Sequence, residues 1–290
     1  MPRAPSPPAA RTKARGVGAV LESGLRRHPL PLTPPRGEKW TAERVLSIRR
    51  WTPTLLSIRL TRYRGFRFTP GHYARLGLEG EGGETVWRPF SVVSAAYDEH
   101  LEFLAVLVPG GAFSGRLDKI AVGDTVLVEK ASYGFLTLDQ LAPGRDLWLL
   151  ASGSGIGPFL SILREPQVWQ DFERLVVVHS VRRETELAYR DEILALPREE
   201  LFAGARAKLH HVPVVTREPG TGALSARIPR ILADGRLEAH AGAAVDREDS
   251  RVMVCGNPEM ARELRGQLAA LGFQTSRRNV PGQMAFENYW

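Results

Sequence analysis

DLWLLASGSGIGPFLSILR, residues 146–164, is the stretch whose reading decides the fold. Asp146 to Ser152 is a near-continuous apolar run of strand length, Gly153-Ser154-Gly155 interrupts it, and Ile156 to Arg164 reads as a helix. A strand that is apolar on successive residues is buried on both faces, as in a parallel sheet covered by helices. The same alternation continues toward the C terminus, with strands in LVVVHSV (175–181), KLHHVPVVT (208–216) and RVMVCG (251–256). Helices are expected between and after them, in ETELAYRDEILAL (184–196), ARIPRILAD (226–234) and PEMARELRGQLAALG (258–272). Residues 144–290 are therefore expected to form a doubly wound α/β domain with an aromatic tail, whose ligands bind beyond the carboxyl ends of the strands.

Upstream the period changes. ERVLSIRRW, LLSIRLTRY, HYARLGL, WRPFSVVS, LEFLAVLV and DTVLVEK, between Glu43 and Lys130, are short runs of strand composition separated by Gly and Pro. Six such strands predict an antiparallel barrel or sandwich over residues 39–143. After the fifth, VPGGAFSGRLDKI turns on Pro109, Gly110 and Gly111 and then reads as one short helix with Phe113, Leu117 and Ile120 on one side. Residues 1–38 are rich in Pro, Ala and Arg and are expected to be a disordered basic extension.

The 290 residues suit two domains, and 43% hydrophobic with 24% charged residues describes a soluble globular protein. No apolar run has transmembrane length, and the first residues lack the apolar core of a secretory signal, so the cytoplasm is the expected site. The formal net charge of +7 is concentrated at the front, where residues 1–36 hold seven Lys or Arg against Glu22 alone. A basic tail on a nearly neutral body, with no zinc-finger spacing or RNP-like motif, does not predict nucleic-acid binding. A single cysteine, Cys255, excludes an intrachain disulfide and an iron–sulfur cluster. No metal is expected, and redox chemistry would rest on an organic cofactor.

Several constellations carry chemistry. Arg88-Pro89-Phe90-Ser91 places a cation, a φ-fixed residue, an aromatic face and a hydroxyl together, which suits a flat, phosphate-bearing aromatic cofactor, although an edge strand with a surface Arg would look the same. Ala112, Phe113 and Ser114 open the short helix, where backbone N–H groups can hold a pyrophosphate or simply start a helix that caps the barrel. Ser152 to Pro158 is a glycine-rich strand-to-helix turn suited to a phosphate or nicotinamide, but it is neither G-x-G-x-x-G nor a Walker A loop. Arg182, Arg217 and Arg227 follow successive strands, and no acid stands immediately after LVVVHSV to take a ribose hydroxyl, which favours NADP over NAD. Cys255 ends a strand before Gly256, Asn257 and Pro258, at what the spacing suggests is the mouth of the cleft.

Trp87 to Ser91, Val108 to Ser114, Ser152 to Pro158, His179 to Arg182, Val215 to Glu218, Arg227-Ile228-Pro229 and Cys255 to Pro258 stand in one order and spacing. That set resembles the ferredoxin/flavodoxin–NADP reductases of the plant-type superfamily, and most of all the bacterial subgroup whose chains end in Tyr-Trp. The resemblance covers about residues 40 to 290. It implies an antiparallel β-barrel binding FAD non-covalently, then a parallel-sheet domain taking NADP(H) as substrate, and single-electron exchange with an acidic ferredoxin or flavodoxin. Carried over, Arg88, Pro89, Phe90, Ser91, Ala112, Phe113, Ser114, Ser152, Tyr289 and Trp290 would hold FAD. Gly153, Ser154, Gly155, Gly157 and Pro158 would face the nicotinamide half of NADP. Val181, Arg182, Thr216, Arg217, Arg227, Asn257, Pro258, Glu259 and Glu263 would hold its other half. Ser91, Cys255 and Glu287 would be the catalytic residues, the first two positioning the rings and Glu287 on the proton side.

This chain has Phe90 where the family usually has Tyr, and Ser where many relatives have Thr in the glycine turn. Candidate cations for an acidic carrier are the arginines at 44, 49, 50, 62, 64, 67, 277 and 278. A monomer without membrane or nucleic-acid partners is expected. An NADPH-dependent flavin reductase or diaphorase would share every motif, and a nucleic-acid protein would rest on the tail alone.

Overall fold

The computed structural model describes residues 1, 38–80, 82–218, 220 and 224–288. The expected extension, save Met1 and Glu38, lies outside these residues, as do Tyr289 and Trp290. The first half contains β1 (Trp40–Thr52), β2 (Leu55–Thr61), β3 (Tyr73–Glu79), β4 (Thr85–Ser91), β5 (His100–Val106), the short helix α1 (Ala112–Leu117) and β6 (Thr125–Tyr133). These six strands form one antiparallel sheet in the order β4-β3-β6-β1-β2-β5. Just past β4 the chain meets β5 again, through an antiparallel bridge from Val92 to Phe103 and a 2.8 Å hydrogen bond from Val93 N to Glu102 O. The sheet thereby closes on itself as a barrel.

Period-two patterning sorts the side chains. On β2, Leu56, Ile58 and Leu60 point into the barrel core with Leu76, Phe103 and Val128, and Phe113 and Leu117 of α1 cover one end of it. The short helix thus packs its apolar side on the barrel.

The second half holds β7 (Asp146–Ser152), α2 (Ile156–Leu163), α3 (Pro166–Asp171), β8 (Arg174–Val181), α4 (Arg190–Ala195), β9 (Lys208–Val215), α5 (Ile228–Ala233), α6 (Arg236–Ala241), β10 (Ser250–Gly256), α7 (Pro258–Ala270) and β11 (Met284–Asn288). The five strands run parallel in the order β11-β10-β7-β8-β9. Alternate residues serve opposite faces: Trp148, Leu150, Val176, Val178, Val252 and Val254 pack under α5, α6 and α7. Leu147, Leu149, Leu175, Val177, Met253 and Cys255 pack on the other side with α2, α3 and α4. Leu55, Val93 and Leu104 of the barrel join this second cluster, so one sheet face also seats the barrel.

Two departures have clear causes. The run 184–196 is not one helix, because Tyr189 sits at φ 61 and confines regular α-helix to Arg190–Ala195. The C-terminal stretch, read as aromatic tail, supplies the edge strand β11 in register with β10. Five residues ending beside the terminus carry little local pattern, and only the exposed edge of β10 recruits them.

Candidate functional site

β7 lies between β8 on one side and β10 on the other, so the sheet order reverses at the β7/β10 boundary. In doubly wound sheets the crevice beyond the strand ends at such a point is where ligands bind. Two turns meet there at backbone contact. A Cβ on Gly155 would lie 2.4 Å from the carbonyl oxygen of Cys255, and one on Gly256, at φ +127, would lie 2.3 Å from Ser152 Oγ. Neither position tolerates a side chain. The Ser152 hydroxyl accepts a 2.8 Å hydrogen bond from Asn257 N, and the Asn257 side chain in turn accepts from Glu259 N and Met260 N to cap α7.

Behind the turn stands His179 on β8, fully buried, with its Nε2 3.0 Å from Gly153 O. A carbonyl only accepts, so Nε2 carries the proton and donates it. Burial pushes this imidazole down to about 4, with the Gly153 bond opposing and His211 adding to the shift. His179 is thus a neutral, fixed donor tying the sheet to the glycine turn. Its place in the HSVR motif was visible in the chain, whereas its partner was not.

A cavity of about 570 Å³ opens over this crevice. Among the expected dinucleotide residues, Gly153, Ser154, Val181, Arg182, Thr216, Arg217, Arg227, Asn257 and Glu259 line it, joined by Ser152. Arg182 and Arg217 are exposed at its rim and form no ion pair with an acid among the described residues. Arg227 differs, being paired with Glu263 at 2.7 Å and with Glu259 at 3.7 Å. Glu263 and Pro258 do not line the cavity.

A second cavity, of about 450 Å³, lies on the barrel side and is lined by Arg88, Pro89, Phe90, Ser91, Ala112, Phe113, Ser114, Ser154 and Gly157, over an apolar floor of Leu104, Val106 and Val108. The Arg88 guanidinium donates to its neighbour's carbonyl, Trp87 O, at 2.8 Å and pairs with no acid among the described residues, which leaves its charge for a phosphate. Phe90 leans on Phe113 with ring centroids 5.2 Å apart, and Phe113 is itself buried in the barrel core. The Ser114 hydroxyl accepts from Val108 N at 2.9 Å, leaving its own proton to donate. A cation, an aromatic wall, hydroxyls and an apolar floor in one slot fit a flat ring cofactor carrying phosphates.

Some expected positions fall elsewhere. The Cys255 side chain is fully buried in the core cluster with Leu149, Ala151 and Ile156 and lines neither cavity, not at the cleft mouth as its spacing suggested. Residues of a central strand point into packed faces, and here only the Cys255 carbonyl reaches the crevice. Of the glycine turn, Gly155 and Pro158 are buried and line neither cavity, while Gly157 lines the barrel-side cavity and not the dinucleotide one. Glu287 is half-buried on β11, opposite Cys255 in register, with Oε1 close to Gly134 beyond β6. Of the candidate cations, Arg49 pairs with Glu192, Arg50 with Asp118, and Arg62 ties Ala96, Asp98 and Phe66 carbonyls. Arg67 likewise donates to the Arg64 and Phe66 carbonyls. Arg44, Arg64, Arg277 and Arg278 remain exposed without an acid partner among the described residues. Unforeseen in the chain were Thr52, Thr54, Leu55 and Val106, which bring the barrel into the first cavity.

A barrel and a parallel sheet with two adjoining cavities, both lined by Val106 and Ser154, fit an oxidoreductase with a resident ring cofactor and a dinucleotide substrate. The family model for the oxidoreductase FAD-binding domain matches residues 51–136, and that for the oxidoreductase NAD-binding domain residues 149–266. Ferredoxin–NADP reductase A of Sorangium cellulosum is 40% identical over 251 residues, 86% of this chain and 89% of that protein. The ferredoxin–NADP reductase of Pseudomonas aeruginosa is 38% identical over 249 residues, 84% of this chain and 95% of that one. The crystal structure of a ferredoxin NADP+ reductase from Neisseria gonorrhoeae with bound FAD and NADP superposes with a TM-score of 0.80 at 37% identity, covering 87% of this chain and all of that one. The chain belongs to the ferredoxin/flavodoxin–NADP reductase family.

Proposed function

We propose that this protein is an FAD-dependent ferredoxin or flavodoxin–NADP reductase, exchanging a hydride with NADP(H) and single electrons with a small acidic carrier. The observation that carries the reading is the abutment of the two cavities, which share Ser154 and Val106 as common wall. Bound FAD supplies the chemistry, accepting two electrons together and releasing them singly. This chain's residues do the rest. Arg88 and the Gly111–Ser114 turn would bind the FAD phosphates, and Phe90 would form a wall beside its ring. Ser91 would add a hydroxyl to the same slot, and Leu104, Val106 and Val108 would exclude water from it. Arg182 and Arg217 hold the 2′-phosphate end, and Ser152 to Ser154 orient the nicotinamide end toward the common wall. Glu287 serves the proton side.

We assign the barrel domain to residues 39–143 and the nucleotide domain to 144–290, and we place the protein in the cytoplasm as a monomer. Among the described residues no helix is long and apolar enough to cross a membrane. Arg44, Arg64, Arg277 and Arg278 are the cations available to an acidic carrier. Purified protein should show a flavin absorption spectrum that NADPH bleaches far faster than NADH, and ferredoxin should stimulate its reduction of cytochrome c. A preparation that stays colourless with added FAD refutes the reading. Bleaching without stimulation by ferredoxin or flavodoxin converts it to a flavin reductase or diaphorase.

A further inference from the structure

The barrel reaches into the dinucleotide cavity through the hairpin between β1 and β2, where Thr52, Thr54 and Leu55 line it together with Ser152 to Ser154. Leu55 pairs with Val106, the residue common to both cavities, so the Leu55 end of this wall stands where the two cavities meet, while β1 also packs against Glu184–Glu186 beyond β8. Thr54 is anchored within the barrel, its carbonyl accepting from Leu107 N at 2.7 Å. What holds the hairpin against the other half of the molecule is a clasp built around Tyr189.

The Tyr189 ring lies 4.7 Å from the ring of Trp51, at the hairpin's base, and the Arg49 guanidinium covers Trp51 at 3.5 Å while pairing with Glu192 of α4. The Tyr189 hydroxyl donates to Glu102 Oε1 on β5 at 2.9 Å, and Glu102 Oε2 lies 3.3 Å from Arg59 and 3.6 Å from Arg164. Ser57 of β2 accepts from Trp51 Nε1 at 3.3 Å and also bonds the Tyr189 hydroxyl. Tyr189 itself is 1% exposed and adopts φ 61, a left-handed conformation that non-glycine residues rarely take. A buried ring at a strained backbone, satisfied by three barrel strands, is over-determined for a loop that only enters a six-residue helix.

We propose that Tyr189 is a positioning residue for the nicotinamide end of the dinucleotide, fixing the Thr52–Leu55 hairpin as the barrel-side wall of the cavity. The inference rests on the proposed reductase activity and adds to it a residue that touches neither cofactor nor substrate. Arg182 and Arg217, which hold the adenine end, are set by the ends of β8 and β9, where Arg217 N donates to Arg182 O at 2.9 Å.

The test uses FAD-loaded parent, Tyr189→Phe, Trp51→Ala and Trp51→Phe proteins. Two measurements are made on each: the single-turnover rate of flavin bleaching by saturating NADPH, and the equilibrium dissociation constant for 2′-phospho-AMP, which carries only the adenine end. Tyr189→Phe and Trp51→Ala are expected to slow bleaching on the order of tenfold, with Trp51→Phe restoring most of the rate. The dissociation constant for 2′-phospho-AMP should stay within about twofold of the parent in all three. Unchanged bleaching rates in both loss variants overturn the proposal, as does a weakening of 2′-phospho-AMP binding parallel to the loss of rate, which would mean a general loosening of the nucleotide half. Failure of NADPH to bleach the parent is the separate signature that the reductase reading itself is wrong, and it removes this inference too.

Discussion

Acidification from about pH 8 to about pH 5 should cost the folded protein about 2 kcal/mol through His179 alone. Its imidazole is fully buried and donates to Gly153 O, and burial holds it at about 4, against 6.5 for an exposed ring. Because the folded value is the depressed one, the unfolded chain takes up a proton first. The stabilisation is fully present above 6.5 and is lost as the pH falls through 4. At about 1.4 kcal/mol per unit, the loss reaches about 2 kcal/mol near pH 5 and about 3 kcal/mol once both states are protonated. His211, also pushed to about 4 by burial and then by Arg190, adds a similar amount, so the two together approach the stability of an ordinary domain. Urea unfolding followed by circular dichroism, with FAD in constant excess, measures the effect. His179→Gln keeps an amide donor but cannot titrate, and its unfolding free energy should fall by about 2 kcal/mol less than the parent's over the same range. If the two proteins lose stability in parallel between those pH values, His179 is not the buried neutral donor described here.

Other outcomes can be checked with the same purified protein. Gly256→Ala would drive a Cβ to 2.3 Å from Ser152 Oγ and 2.6 Å from Ser152 O at a left-handed φ, and should destabilise the fold by about 2 to 4 kcal/mol in urea titrations. Arg217→Ala removes an exposed cation with no acid partner among the described residues, so the KM for NADPH should rise on the order of tenfold while the KM for NADH and the unfolding midpoint stay put. Glu263→Gln should act in the opposite direction. With its 2.7 Å partner neutralised, Arg227 keeps its charge for the 2′-phosphate, and the KM for NADPH should fall roughly two- to fivefold in steady-state assays.

Local patterning made the architecture readable, because burial leaves a period in the chain. Residues 147–151 face two packed layers and are apolar throughout, whereas Leu56, Ile58 and Leu60 face one barrel core at every second position. The cavity-lining residues could be singled out for a related reason: a phosphate needs cations and small residues at strand ends, and Arg88, Ser154 and Arg217 line the two cavities. Other features depend on which surfaces meet. Gly155 and Gly256 are required because two turns touch at the β7/β10 boundary. The Cys255 side chain is buried in the core because of the face its strand turns inward, and Arg227 is half-neutralised by acids on α7.

The strands β1 to β10 and the turns between them follow largely from the sequence, since each depends on neighbours within a few residues, whereas β11 and the short extent of α4 do not. The pairing of Tyr189 with Glu102, 87 residues apart, and the arrival of Thr52 and Thr54 at the dinucleotide cavity were decided only by tertiary packing. No period or spacing encodes a contact between segments whose meeting depends on how a closed barrel seats on one face of a sheet.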